Sequence, residues 1–148
     1  MSMKSQITDA MKQAMRAKDK ARLGAIRLML AEVKRIEVDE RIDVDDKRAI
    51  VVLDKMCKQR RDSEQQYLNA GRAELAEQES YEIGVIQEFL PAQLTESEIL
   101  QVVIAAISGT GAQGVQDMGQ IMGKIKPQVQ GRADMGVVSK LVKQQLSV

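Results

Sequence analysis

An all-α chain is predicted, with an N-terminal four-helix bundle over residues 1–90 and a smaller three-helix tail over 91–148. Three observations predict it. Only Pro91 and Pro127 break a chain of 148 residues. Glycine is sparse before residue 109, where only Gly24, Gly71 and Gly84 occur. Apolar side chains recur at helical spacing, and no stretch alternates as a half-buried strand would.

Taken in order, Ile7, Met11, Ala14 and Met15 make the apolar side of a first helix over Lys4 to Ala17, broken by Lys18-Asp19-Lys20. Leu23, Ile26, Met29, Leu30, Val33 and Ile36 make the core face of a second helix that reaches about Glu40. Asp43 to Asp46 form a turn whose acids favour the start of a third helix, which continues to about Ala70. Ala70-Gly71 is a tight connection, so helices three and four pack antiparallel. One face of helix three carries Leu53, Cys57, Arg61, Glu64 and Leu68; one face of helix four carries Leu75, Glu79, Glu82, Ile86 and Leu90. Pairing Leu68 with Leu75 sets Arg61 opposite Glu82, with Arg60 and Glu79 nearby. Pro91 ends this unit by pushing Leu90 out of helix.

In the tail, Thr95-x-x-Glu98 is a capping box that opens a fifth helix carrying Ile99, Val102, Val103, Ala106 and Ile107. Gly109 to Gly114 reads as a loop. Met118, Ile121, Met122 and Ile125 lie on one face of a sixth helix, while Gly119 and Gly123, four apart, share another side. Each glycine costs up to about 1 kcal/mol of helix propensity, which points to something approaching that backbone closely. Pro127 is expected to end or kink the helix near Lys126. Gly131 suits a left-handed cap and Asp134 an N-cap for a last helix. That helix buries Val138, Leu141 and Val142, with Lys140 and Lys143 outside.

At these residues the chain resembles a known family. Asp117-Met118-Gly119-x-x-Met122-Gly123, then Gly131-Arg132-Ala133-Asp134 and a Val-x-x-Leu-Val-Lys helix, are similar to the tail of the YqeY-like family. That tail is shared with GatB, the B subunit of the tRNA-dependent amidotransferase. Upstream, Arg22-Leu23-Gly24-x-Ile26-Arg27-Leu28, the run from Lys34 to Arg41, Lys58-Gln59-Arg60-Arg61-Asp62-Ser63 and Phe89-Leu90-Pro91 resemble free-standing members. The resemblance implies the same two helical units and a tail that contacts tRNA. The family label also implies carbon–nitrogen ligase chemistry with glutamine as amido donor. The chain departs from a catalytic GatB, because only the tail is shared and the phosphorylating, metal-bearing body has no counterpart.

Composition narrows the classes. A 44% hydrophobic and 29% charged chain fits a folded globular protein. Twenty-two basic against 21 acidic groups leave a net charge of +1, which argues against an indiscriminate nucleic-acid or membrane binder. Neither DNA nor a membrane is expected as a partner. The excess is local: Lys124, Lys126, Arg132, Lys140 and Lys143 stand against Asp117 and Asp134 after residue 114. One cysteine and no long apolar run read as a soluble, cytoplasmic protein.

Candidate chemistry is thin. Gly109-x-Gly111-x-x-Gly114 matches the dinucleotide fingerprint in letters, but it follows a helix rather than a strand and reads as a plain loop. Cys57 lies on a core stripe, and no histidine exists to activate it. No catalytic residue, cofactor or metal is expected. Lys58, Arg60 and Arg61 either pair with helix four or contact an anion or RNA; Arg27 and Lys34 border an apolar face. The strongest candidate surface is Gly119, Gly123, Lys124, Lys126, Arg132, Lys140 and Lys143. It serves either RNA contact, through backbone approach and phosphate charge, or only tight helix packing with solubilising lysines. The reading is an adaptor that binds tRNA, or a tRNA-charging or amidating enzyme, through this tail. Alternatives are a component of a carbon–nitrogen ligase, or a protein-binding helical module.

Overall fold

The computed structural model describes residues 1–147 and is all-helical, with seven α-helices, one short 3-10 turn and no strand among them. Contacts gather the chain into two compact units, Met1–Pro91 and Ala92–Val148.

The first unit holds α1 (Met3–Ala17), α2 (Lys20–Glu40), α3 (Asp46–Asn69) and α4 (Ala73–Gln87). Each of the first three starts on a side-chain cap: Ser2 accepts from the Ser5 N–H, Asp19 from Arg22 and Asp45 from Arg48. Lys18 and Arg41 close α1 and α2 in the left-handed region, at φ 57° and 55°. Between α2 and α3, Val44 is buried and its N–H donates to Glu37 Oε2 at 3.0 Å. Ile7, Ile26, Met29, Leu53, Cys57 and Ile86 lie at the centre of the core.

The α3–α4 hairpin differs from its expected register at Leu68 and Leu75. Arg60 Nε donates to Glu82 Oε2 at 2.9 Å across it, and Arg60 is the residue expected near that pair. Leu68 and Leu75 do not pack as a core pair; they are 51% and 39% exposed. Between Lys58 and Gly84 only Ala76 is buried, and of that stretch only the half-buried Ile83 packs against the cluster formed with α1 and α2.

The second unit holds α5 (Glu96–Thr110), a 3-10 turn (Val115–Asp117), α6 (Met118–Val129) and α7 (Met135–Leu146). Its core is Ile99, Val103, Ile121, Ile125, Val129, Val138 and Val142 with their neighbours. The Thr95–Glu98 capping box forms with both of its bonds. Gly111 and Gly131 take the left-handed conformation, and Asp134 accepts from the Gly136 N–H at 2.9 Å. Pro127 does not end its helix: α6 runs on to Val129 with Pro127 inside. Packing overrides the local preference, because Ile125 and Val129 are both fully buried and anchor the last turn. Pro127 itself is exposed.

Among the described residues no single helix is long and apolar enough to cross a membrane. α5 together with Val115–Val129 passes on length and composition, but that pair is bent by 97°. Its Ile99, Val103, Ile121 and Ile125 are already spent on the unit's own core.

Candidate functional site

The tail residues separate into three roles. Gly119 and Gly123 are exposed on α6, and a Cβ added at either would meet no heavy atom within 4 Å. Tight helix packing is therefore not their purpose. Gly24 and Gly84 are equally open, so openness alone does not distinguish the tail. What distinguishes it is the company. Pro127 stands four residues after Gly123 and has no N–H, leaving the Gly123 carbonyl without its α-helical donor.

Arg132 is committed elsewhere. Its Nε donates to the Ala92 carbonyl at 3.1 Å, and its own carbonyl accepts from the Leu94 N–H at 2.8 Å. Gln93 Nε2 adds a bond to the Gly131 carbonyl at 2.8 Å. The α6–α7 turn thus fastens the segment that leads into α5, and Arg132 acts first as part of that fastening. Lys124 has a local task as well. Its Nζ lies 3.2 Å from where a Cβ would stand at Gly109, in the last turn of α5, where a cation complements the helix dipole.

Lys126, Lys140 and Lys143 are exposed and make no ion pair among the described residues. On α7, Lys140, Lys143, Gln144 and Ser147 share the face opposite Val138, Leu141, Val142 and Leu146. Lys126 and Lys143 each occupy the last turn of a helix, where a positive charge is favoured without a partner. The spacing exposed these lysines in the sequence, but the tie of Arg132 to Ala92 joins residues 40 apart and leaves no local signal.

The other candidates resolve into structure. Cys57 is fully buried, and burial pushes its thiol up to about 11, so it is not a nucleophile at neutral pH. Gly109 belongs to α5 and Gly111 caps it, so the glycine run is a helix end and not a phosphate loop. Glu37 accepts from Lys4 Nζ at 2.7 Å and from Val44 N–H, and these bonds pull its carboxyl down to about 2. That cluster, which no local pattern announces, ties α1 to the end of α2.

Comparison with known proteins gives a family and adds little chemistry. Over 138 residues the chain is 30% identical to "Altered inheritance of mitochondria protein 41, mitochondrial" of Pyrenophora tritici-repentis, covering 90% of this chain and 75% of that protein. Proteins of the same name from Vanderwaltozyma polyspora and Lachancea thermotolerans are 37% and 36% identical over 81 residues. That is 54% of this chain, but only 44% and 43% of theirs. Those names speak of mitochondrial inheritance and mention neither RNA nor amidation. A family model described as "Yqey-like protein" matches residues 4–146. With nearly every residue inside that match, the chain belongs to the YqeY-like family.

Proposed function

We propose that the protein is an adaptor whose second unit holds structured RNA, tRNA above all, against the exposed face of α6 and the lysines of α7. One observation carries the reading: on α6, two exposed glycines with open space around them stand beside Lys126, which makes no ion pair among the described residues, and Pro127 offers the Gly123 carbonyl no N–H. Structured RNA offers a complement to each part. Its phosphates suit Lys126, Lys140 and Lys143, and its 2′-OH donates to a free carbonyl. The amidotransferase-like tail motif supports tRNA as the RNA concerned and a tRNA-charging or amidating enzyme as the company. An adaptor also fits the reactive inventory, since the chain has no histidine and its one thiol is buried. The mitochondrial names of the relatives fit a setting with reduced thiols as well as the cytoplasm does.

Binding of a tRNA hairpin and its DNA counterpart, followed across salt concentration, tests the proposal. Affinity falls with salt, the RNA is preferred, and Lys140→Gln with Lys143→Gln lowers the salt slope by roughly 1–2. Absence of binding at low salt, or equal affinity for RNA and DNA, sinks it.

A further inference from the structure

The outward face of α2 carries a second surface, in the first unit and independent of the tail. Every acid of that helix is engaged: Glu32 and Asp39 pair with Arg35, Glu37 with Lys4 and Glu40 with Arg48. Four cations along it are not. Lys20, Arg27, Lys34 and the C-cap residue Arg41 are exposed and make no ion pair among the described residues. They recur every seventh residue, so each stands about 10.5 Å beyond the last and drifts only about 20° around the axis. Together they form a line of about 31 Å. Beside it run Gly24, Ala31 and Val38, with the same period and also exposed. A Cβ at Gly24 would meet no heavy atom within 4 Å. Val38 is 63% exposed, and Leu28, on the far side of the small residues, 48%.

Such a face makes two demands on whatever covers it. The line of cations calls for a line of anions, and Leu28 and Val38 call for hydrocarbon. A phosphate backbone meets only the first. A bilayer needs a broad apolar face to enter it, and here Gly24 and Ala31 offer almost no hydrocarbon between the charges. A second copy of the same face would set cation against cation. A helix meets both demands. Its side chains repeat with the same seven-residue period, and small residues on α2 let a second backbone come close. We propose that the outer face of α2 docks an acidic amphipathic helix of a partner protein. Carboxylates at every seventh position face Lys20, Arg27, Lys34 and Arg41, and apolar residues beside them cover Leu28 and Val38.

The probe is a capped, fluorescently labelled helical peptide of about three heptads, with Glu and Leu at the matching positions. Its anisotropy is followed on titration with the whole chain. Two control peptides carry Lys for each Glu, or Ser for each Leu. The Glu–Leu peptide binds saturably, and each control binds at least about tenfold more weakly. Arg27→Glu with Lys34→Glu abolishes binding of the Glu–Leu peptide and confers binding of the Lys peptide, a reversal that misfolding cannot produce. Val38→Ser weakens binding several-fold while circular dichroism stays unchanged. Three results overturn the proposal: no saturable binding of the Glu–Leu peptide, equal binding of the Lys peptide, or no reversal in the double variant. So does an RNA hairpin or a phosphatidylserine vesicle that binds through Arg27 and Lys34 when the peptide does not.

Discussion

Arg60 Nε stands 2.9 Å from Glu82 Oε2 across the α3–α4 hairpin, with each side chain only 14% exposed. Arg60 Nη1 also reaches the Met56 carbonyl at 3.4 Å, so the guanidinium is held from both helices. This pair lies where the buried core ends and the solvated tip of the hairpin begins. Glu79, nearby, has its carboxyl pushed up by burial and then by the charge of Glu82.

A half-covered pair falls between the surface and interior regimes. Exposed pairs are worth about 0–1 kcal/mol, whereas breaking a buried one costs about 3–5. Arg60→Ala is expected to cost about 2 kcal/mol in urea unfolding, because Glu82 is left partly desolvated. Replacing both residues, Arg60→Met with Glu82→Leu, costs less than the single change. A loss for Arg60→Ala as small as that of an exposed pair would refute this placement.

Gly123 is interior to α6 with open space around it, so Gly123→Ala raises stability by about 1 kcal/mol. Gly119, in the first turn, gives less. Both substitutions, read by thermal melting, stabilise the protein while weakening RNA binding. A stabilised variant with undiminished binding would separate these glycines from the proposed contact.

Glu37 gives a pH signature. Its carboxyl falls from an ordinary value of 4.5 to about 2, first through the Lys4 hydrogen bond and then through the Val44 N–H. A depressed carboxylate contributes stability that is complete above its unfolded pKa and is lost as pH drops through the folded one. The excess stability of the native chain over Glu37→Gln is therefore full at neutral pH and fades between about 4.5 and about 2. A gap that is constant with pH across that window is the contrary result.

Cys57 is expected to be silent toward thiol reagents. Burial raises its thiol from 9.0 to about 11, leaving roughly a hundredfold less thiolate than an ordinary cysteine at mildly alkaline pH. Modification follows only on unfolding, and its rate tracks denaturant. Rapid labelling of the native chain would contradict the packing around Leu53 and Ile86.

Local signals were legible because they depend on neighbours in sequence. The capping box at Thr95 and Glu98, the cap at Asp134, the left-handed Gly131 and the apolar faces of α2 and α6 were all readable from spacing. Of the two expectations for Pro127, an end or a kink, the helix does not show the end, for the converse reason. Its local cost is real, but the burial of Val129 outweighs it. The Arg60–Glu82 contact could not be singled out from sequence, since adjacent residues on a helix differ by 100° and two long side chains can reach one carboxylate.

The sequence by itself determined the helices, their caps, the buried thiol and the family, since propensity, periodicity and motif spacing act over a few residues. Tertiary structure alone decided which cations remain free. Arg132 reaches Ala92, Lys124 lies over Gly109, and Lys4 holds Glu37, while Lys126, Lys140 and Lys143 stay unpaired among the described residues. The buried Arg48 Nε, which meets no acceptor among the described residues, likewise arises only when distant segments pack. A charge's availability is set by what the fold brings within about 4 Å of it, and chain order does not specify that distance.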